Sequence, residues 1–306
     1  MIKFSILIST KNRIEDLKVT LQKISYLLER EDVECVIYDD ASDDTTVAFL
    51  KSNYSTVQLY TNSKSKGYIY NRNYLLDNCN GKYAISLDDD SNFLTNDSLE
   101  IIENHFKENE NCGVIAARIF WGKEIPNNLI SNEKIERVNG FVGCGHIWNI
   151  EIWKSLPNYP EWYFFYGEED FASLQLLKKG FEIHYVPQIL IHHRVNVADR
   201  KNDKDYQVRR RRSLRAAWYN YFIFYPISII PRRIIYSIWQ QIKNHTFKGN
   251  LKATFGMLQA IGDVFINFPK FIKNSNRLTH LEFKEFTNLP QTKIYWKPEI
   301  TNNDKL

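Results

Sequence analysis

Short apolar segments alternate with segments of helical periodicity in the first ninety or so residues, and this alternation constrains the fold more than any other feature. The apolar segments are 5–9, 33–38, 57–60 and 83–87. Between them, apolar residues recur at helical spacing over 14–28, in a shorter stretch that ends at Leu50, and over 67–76. Such alternation is typical of a largely parallel sheet with helices on its faces. The sequence therefore predicts an α/β fold.

Polar side chains follow three of these strands at the point where each strand ends. They are Ser9, Thr10 and Asn12 after the first strand, Asp39 and Asp40 after the second, and Asp88, Asp89 and Asp90 after the fourth. Ligands of open parallel sheets bind beyond the carboxyl ends of the strands, so we expect these clusters to face one crevice. Three adjacent carboxylates repel one another and usually accept a cation. A solvated turn that caps the next helix is the alternative for the acidic triplet alone.

The usual phosphate-binding loops of this architecture are missing from the sequence. Neither GxGxxG nor GxxxxGK[ST] follows the first predicted strand. This argues against dinucleotide cofactors and against ATP hydrolysis. A nucleotide diphosphate held through a carboxylate-bound Mg²⁺ or Mn²⁺ fits the acidic strand ends better.

The chain divides by charge into an acidic front and a basic back. Residues 201–306 contain 19 Lys and Arg against 7 Asp and Glu, a net charge of +12, which leaves −8 for residues 1–200. With 306 residues, 43% of them hydrophobic, the chain is long enough for one full core and a smaller appendage. We therefore predict a main domain over 1–200 and a helical extension over 201–306.

The extension has the composition of a membrane-surface segment. An arginine cluster, 209–212 with Arg215, precedes an almost uncharged aromatic run over 216–231, and Arg232 and Arg233 follow. This pattern indicates an interfacial rather than a spanning segment. The alternative is a helical appendage with an ordinary solvated basic face. No nucleic-acid reader motif accompanies the basic residues.

Targeting and cysteine patterns are consistent with a cytoplasmic protein. The N-terminal residues run directly into a strand without a signal peptide, and no stretch approaches the roughly 20 apolar residues of a spanning helix. The four cysteines are scattered without a CxxC pair, which indicates neither a zinc site nor a disulfide framework. We expect a cytoplasmic location, peripheral on the inner face of the plasma membrane, with an anionic membrane surface but no nucleic acid as a partner.

Six short motifs occur in the order found in a known enzyme family. They are SILISTKNR at 5–13, VIYDDAS at 36–42, GYIYNRN at 67–73, LDDD at 87–90, GEED at 167–170 and VPQILIHH at 186–193. In these motifs, which span about two thirds of the chain, the sequence resembles the inverting glycosyltransferases of family 2, of the kind that builds bacterial surface glycans. The resemblance implies the GT-A fold, a Rossmann-like nucleotide-diphospho-sugar transferase fold, here with a C-terminal helical extension.

The resemblance also implies a donor site. The residues assigned to the nucleotide sugar are Ser9, Thr10, Asn12, Arg13, Asp40, Arg72, Asn73, Asp88 and Asp89. In this assignment Asp40 accepts a hydrogen bond from the base, which suits uracil, thymine or guanine, and Asp88 lies near the ribose. Arg72 and Asn73 help to place the diphosphate, although Arg72 has the alternative of being a surface cation. Asp89 has the alternative of being an exposed turn residue.

Metal, catalytic and acceptor residues follow from the same resemblance. Asp90 and His193 are assigned to a divalent ion, Mn²⁺ or Mg²⁺. His192 is the reserve, because successive side chains of the strand predicted over 188–193 point to opposite faces. Asp170 is the general base, and Glu169 fixes the helix start or contacts the acceptor. The two acids open a predicted helix that ends at Gly180, and acidic residues are also ordinary at a helix N-terminus. Trp162 is assigned to the acceptor.

The implied reaction is a single displacement with inversion, which transfers a sugar from a UDP, dTDP or GDP donor to a hydroxyl group of a glycan or lipid-linked saccharide. A sugar-1-phosphate nucleotidyltransferase is an alternative, but it should carry a glycine-rich GGxGTR-like loop where this chain has STKNR. A noncatalytic sugar-nucleotide or membrane-binding protein is a further alternative. A processive synthase is disfavoured, because several spanning helices and a QxxRW motif are missing.

Overall fold

Nine strands and eleven α-helices make up the described part of the computed structural model, which comprises residues 1–125, 129–130, 132–195 and 205–293. The strands are β1 Phe4–Thr10, β2 Val33–Asp39, β3 Gln58–Thr61, β4 Tyr83–Asp88, β5 Ser91–Phe93, β6 Cys112–Trp121, β7 Glu136–Val138, β8 His146–Asn149 and β9 Glu182–His193. The helices are α1 Ile14–Lys23, α2 Ser25–Leu28, α3 Thr46–Asn53, α4 Tyr68–Asn78, α5 Ser98–Glu108, α6 Ile150–Trp153, α7 Glu168–Lys179, α8 Tyr206–Phe224, α9 Ile230–Asn244, α10 Leu251–Lys273 and α11 His280–Asn288.

All nine strands form one sheet in the order β3-β2-β1-β4-β8-β6-β9-β5, with β7 paired to β9. The first four strands are parallel to one another, as are β6 and β9, whereas β8, β5 and β7 run antiparallel to their neighbours. The predicted α/β class is confirmed, and each of the first four strands begins and ends within one residue of its predicted bounds. The mixed second half of the sheet was not predicted.

Parallel pairing brings the polar ends of the first strands together. In the register of β1, Thr10 lies opposite Asp39 of β2, and Ser9 lies opposite Asp88 of β4. Strand β1 is central and buried on both faces, which is why its apolar residues form a continuous run instead of an alternating one. The buried strand therefore fixes the position of the site at its end.

Helix α8 and the end of α10 share a hydrophobic core with the sheet. Tyr219 and Phe224 of α8 and Phe271 of α10 belong to the same buried cluster as Phe171 of α7 and Trp148 of β8. Asp263 of α10 is buried and accepts hydrogen bonds from arginines of α8. The predicted boundary between residues 200 and 201 lies outside the described residues, so the division into two domains stays a prediction.

Candidate active site

A cavity of about 650 Å³ lies at the carboxyl ends of β1, β4 and β9. We call it the crevice. The predicted site residues among its lining are Ser9, Thr10, Arg13, Asp40, Asp88, Asp89, Asp90 and His193. Residues that were not predicted also line it, including Lys11, Tyr68 and Arg209 of α8. The structure thus brings together side chains that are up to 200 positions apart in the sequence.

Two members of the acidic triplet, Asp89 and Asp90, are buried and paired with Arg13. Asp90 accepts a hydrogen bond of 2.6 Å from the guanidinium group of Arg13, which also lies 3.0 Å from Asp89. Asp89 accepts a second bond, of 2.9 Å, from the hydroxyl group of Thr10. Only 6% of Asp89 is exposed, so the alternative of an exposed turn residue is wrong. Arg13 therefore neutralises part of the charge that three adjacent carboxylates create.

The two carboxylates that share Arg13 differ in their pKa values. Burial, only partly offset by Arg13, raises the pKa of Asp89 to about 8. Burial also opposes ionisation of Asp90, but His193 and Arg13 outweigh it and lower the pKa of Asp90 to about 2. Of the two carboxylates that share Arg13, Asp90 is therefore the one that keeps its negative charge at neutral pH, which suits a cation ligand.

His193 lies beside two carboxylates of the triplet. Its Nε2 atom is 3.0 Å from Asp90 Oδ1 and 3.8 Å from Asp88 Oδ2. Its Nδ1 atom is 3.0 Å from the thiol sulfur of Cys144. His192 points elsewhere, with Nε2 2.7 Å from the carbonyl oxygen of Gly122. Carboxylate and imidazole donors in this arrangement fit a divalent ion such as Mn²⁺, and Asp88, Cys144 and His193 also group closely enough to share one.

The carboxylate of Asp40 accepts hydrogen bonds from the 62–67 loop. One oxygen accepts hydrogen bonds from the side chain of Asn62 and the backbone N–H of Lys66; the other accepts from Ser65 and the backbone N–H of Gly67. These four bonds fill the acceptor positions of a carboxylate, so none remains for a nucleobase while the loop stays in this position. The predicted base contact of Asp40 therefore does not agree with this geometry.

Asp39, unlike Asp40, has a carboxylate oxygen that is free to accept a hydrogen bond among the described residues. Its Oδ1 atom accepts from the backbone N–H of Ser42, whereas its buried Oδ2 atom has no hydrogen-bond partner among the described residues. A buried carboxylate oxygen without a partner is costly, and it commonly marks a ligand contact. The sequence offered the same signal, since Asp39 stands beside Asp40 in the VIYDDAS motif.

Three predicted donor residues have other surroundings than expected. Asn73 bonds through its amide to the backbone of Tyr159, and Asn12 links its loop to the backbone N–H of Asp43; neither is among the residues that line the crevice. Arg72 is buried, stacks over the ring of Tyr68 at 4.4 Å and donates to Asp88 and to the carbonyl oxygen of Gly143. The alternative that Arg72 is a surface cation is wrong.

The acidic start of α7 lies next to Arg72. Glu168 is buried, and its Oε2 atom has no hydrogen-bond partner among the described residues. Glu169 lies against Gly143, where its Oε1 atom leaves no room for a side chain. Burial raises the pKa of both glutamates, and Arg72 offsets part of this effect. Asp170 is exposed to solvent. The three acids therefore offer one buried carboxyl, one half-buried carboxyl and one accessible carboxylate.

Aromatic residues form the wall of the crevice toward α8. Phe164 and Phe165 line the crevice, whereas Trp162 does not. The ring of Trp162 packs on Tyr219 at a centroid distance of 5.1 Å, and the ammonium group of Lys270 lies 5.1 Å above it. Its assignment to the acceptor stays a prediction. Tyr68 also lines the crevice, and its hydroxyl group donates a hydrogen bond of 2.7 Å to Asp88.

The fold is shared with solved glycosyltransferase structures. The mannosyltransferase PcManGT from Pyrobaculum calidifontis, solved with GDP-Man and Mn²⁺, is 15% identical, with a TM-score of 0.53 over 93% of this chain and 83% of that one. GalNAc-T7, solved with UDP, GalNAc and Mn²⁺, is 15% identical, with a TM-score of 0.56 over 72% of this chain. TarS from S. aureus is 15% identical, with a TM-score of 0.50 over 72% of this chain. The match spans only 50% of the GalNAc-T7 chain and 44% of the TarS chain.

Sequence comparison identifies the family. None of the curated proteins matches the chain. Residues 5–156 match the model described as Glycosyl transferase family 2, and the match includes the strands that carry Thr10, Asp40 and the acidic triplet. The chain therefore contains a glycosyl transferase family 2 domain and is a glycosyltransferase with the GT-A fold.

Proposed function

We propose that the protein is an inverting, non-processive glycosyltransferase that moves a sugar from a UDP, dTDP or GDP donor to a hydroxyl group of a glycan or lipid-linked saccharide. The observation that carries this proposal is the grouping of Asp88, Asp90 and His193 at one side of the crevice. The cavity volume of about 650 Å³ lies within the usual range for a small-molecule binding site. Two structures of the same fold hold a nucleotide or nucleotide sugar together with Mn²⁺.

Donor binding draws on both acidic and basic lining residues. Ser9, Thr10 and Arg13 line the nucleoside side, and Asp40 shapes that side through its bonds to the 62–67 loop. The unpaired oxygen of Asp39 is the candidate acceptor for a base N–H group, which would have to reach past the lining of the crevice, because Asp39 is not among the lining residues. Lys11 and Arg209 add positive charge to a crevice that must receive a diphosphate. In this proposal Asn12 and Asn73 act only by positioning the loops they bind.

Asp90 and His193 would hold the divalent ion, Mn²⁺ or Mg²⁺, with Asp88 beside them. A bound ion supplies a Lewis acid that neutralises charge on the departing diphosphate. The Nδ1 atom of His193 lies against the sulfur of Cys144, so Nε2, on the side of Asp90, is the ring nitrogen that would reach the ion. Burial raises the pKa of Cys144 well above its ordinary value, so the thiol stays neutral and acts as a positioning group.

The transfer itself is a proton removal coupled to one displacement. Asp170 accepts the proton of the acceptor hydroxyl, and the oxygen forms a bond to the anomeric carbon. The bond from that carbon to the nucleotide diphosphate breaks on the opposite face, so the configuration inverts. Glu169, which is close to Arg72, is the neighbouring carboxyl that contacts the acceptor side. Asp170 suits the role of base because its side chain is accessible to an acceptor. The buried residues of α7 that follow it hold the start of the helix in place.

Nucleotide binding is expected to raise the melting temperature of the protein only when Mn²⁺ is present. At a nucleotide concentration of about 100 times Kd, binding contributes about 2.7 kcal/mol, which corresponds to a rise of about 5 °C for a protein of this size. The measurement is a thermal-shift series with UDP, GDP and dTDP, each with Mn²⁺ and with EDTA. If no nucleotide of the three stabilises the protein with Mn²⁺, the proposed donor class is wrong.

The C-terminal helices present an apolar stripe to solvent. The exposed large apolar residues of α10 are Leu251, Phe255, Leu258, Phe265, Ile266, Phe268 and Ile272, with exposed fractions of 47–78%. Leu251, Phe255, Leu258, Phe265 and Ile272 recur at helical spacing on one side of the helix. Trp239 on α9 is 51% exposed. Lysines 252, 270 and 273 lie on the same helix, within a part of the chain whose net charge is +12. No helix of the described ranges is both long enough and apolar enough to cross a bilayer.

This apolar stripe with its lysines is the proposed attachment to an anionic membrane surface. Replacing both Phe265 and Ile272 by serine is expected to weaken binding to phosphatidylglycerol-containing vesicles by at least about tenfold, because each side chain contributes about 1.5 kcal/mol or more of apolar burial. Co-sedimentation measures the bound fraction. Tyr26→Ser, at an exposed apolar residue of α2, is the control and should bind normally. Equal binding of the double variant and the control would place the attachment elsewhere.

A further inference from the structure

A second groove lies beside the crevice, where α8 meets the 162–164 segment. Its volume is about 300 Å³, and its lining consists of Trp162, Phe164, Val208, Arg211, Arg212 and Arg215. We call it the arginine groove. Phe164 lines both the arginine groove and the crevice, so one aromatic ring separates the two cavities. A molecule that occupies the groove would therefore reach the edge of the donor site.

The arginine groove holds more positive than negative charge. Arg211 and Arg215 share the carboxylate of Asp263, at distances of 2.5 Å and 3.4 Å, and Arg215 also donates to the carbonyl oxygen of Tyr163. Arg212 has no ion-pair or hydrogen-bond partner among the described residues. Asp205, the other acid that acts on Arg212, is paired with Arg209 at 2.7 Å. The three guanidinium groups of the groove therefore face the one carboxylate of Asp263, which leaves an excess of two positive charges.

Arg212 is held in place without an anion. Its guanidinium carbon lies 4.5 Å from the centre of the Phe164 ring, a cation–π contact, and the side chain is half-buried. Burial, together with the charge of Arg215, lowers the pKa of Arg212. A half-buried cation beside like charges is destabilised until an anion binds, and a guanidinium fork matches a phosphate group in shape.

The backbone at Phe164 is strained. Its φ angle is 70°, in a region that residues other than glycine rarely adopt. The strain directs the ring between Arg212 on one side and Gly67 at the crevice on the other. Strained residues of this kind persist where the surrounding structure holds them, and they concentrate at ligand sites. An exposed aromatic ring at this position also offers a flat surface to a sugar.

We propose that the arginine groove binds a phosphate group of the sugar acceptor, with Arg212 as its main ligand and Phe164 as the surface under the adjoining sugar. This deepens the proposed function, on which it rests, because it names the acceptor class: a phosphate-bearing saccharide. The phosphate can belong to a substituted glycan or to the carrier of a lipid-linked saccharide, and the two share the chemistry that the groove recognises. The acceptor hydroxyl would then extend past Phe164 into the crevice.

Calorimetric titration of the full chain tests this proposal with chosen probes. Glucose 6-phosphate and glucose are compared in EDTA, so that no divalent ion can recruit phosphate to the crevice. We expect binding of glucose 6-phosphate only, weakened at least about tenfold in Arg212→Gln, which removes one charge-assisted contact. Arg212→Lys keeps the positive charge but not the planar guanidinium group, so its affinity for glucose 6-phosphate should lie between those of wild type and Arg212→Gln. Lys51→Gln, at an exposed lysine of α3, makes the same charge change and should bind normally.

The outcomes are distinct. Equal binding by wild type and Arg212→Gln, equal loss in Lys51→Gln, or equal binding of glucose and glucose 6-phosphate would overturn the proposal. If farnesyl phosphate binds more tightly than glucose 6-phosphate and depends on Arg212 in the same way, the phosphate is that of a lipid carrier; the reverse order indicates a substituted glycan. Nucleotide stabilisation with Mn²⁺ should be unchanged in Arg212→Gln. If the wild-type protein binds glucose 6-phosphate through Arg212 but no nucleotide stabilises it, the proposed donor class is wrong while the phosphate site in the arginine groove stands.

Discussion

Asp90→Asn is expected to lower kcat/KM for sugar transfer about 10³-fold. The substitution removes a buried carboxylate whose low pKa keeps it ionised, and with it the charge that would hold a divalent ion beside His193. Loss of one preorganised electrostatic contact at a reacting phosphate costs about 10²- to 10³-fold, and loss of an ion that makes several such contacts lies at the upper end. Release of a radiolabelled sugar from the donor identified by thermal shift measures the effect.

The matched control for this variant is Asp16→Asn. Asp16 accepts a hydrogen bond of 2.8 Å from the same guanidinium group of Arg13, but its side chain is 47% exposed. An exposed ion pair of this kind contributes about 1 kcal/mol or less, so turnover should stay within about fivefold of wild type. Should Asp90→Asn retain the turnover of Asp16→Asn, the role of Asp90 would be limited to its pairing with Arg13.

Asp170→Asn is expected to lower kcat about 10²- to 10⁴-fold while nucleotide stabilisation stays within about 1 °C of wild type. A positioned general base contributes a factor of this size, and the amide cannot accept the proton. The side chain is exposed at the start of α7 and makes no hydrogen bond to the donor side among the described residues. Binding of the nucleotide is therefore not affected, and the loss appears in the chemical step.

Glu169→Gln, measured in parallel, separates the two carboxyls. Glu169 lies beside Gly143 and Arg72, so its neutral isostere should change acceptor KM more than kcat. If Glu169→Gln abolishes turnover while Asp170→Asn does not, the base is Glu169. That result would contradict the assignment taken from the GEED motif.

The parts of the fold that periodicity encodes were predicted closely from the sequence. Strands β1 to β4 and helix α7 combine a regular apolar pattern with clear ends, such as Gly180, whose φ angle of 78° terminates α7. Strand β9 is longer than predicted, since it begins at Glu182 and not near residue 188. Pro187 interrupts its pattern, and the pairing with β6 shifts register between Ala117 and Arg118, next to that proline.

Side-chain directions in loops were predicted less well. A strand end indicates which loop reaches the crevice, but the backbone conformation of that loop decides which side chain enters it. Asn12, with a φ angle of 53°, turns to the 42–44 loop, and Asp40 is taken up by the 62–67 loop. Cys144 and Arg209 approach the site from distant elements, and no local pattern in the sequence marks them.

The central claim is that a divalent ion at Asp90 and His193 holds the diphosphate of a sugar nucleotide in the crevice. The most direct test is anomalous diffraction from crystals grown with Mn²⁺ and the nucleotide that stabilises the protein. We predict an anomalous peak within coordinating distance of an Asp90 oxygen and of His193 Nε2, in contact with the diphosphate. A nucleotide bound without such a peak, or a peak elsewhere while Asp90 keeps its pairing with Arg13, would contradict the claim.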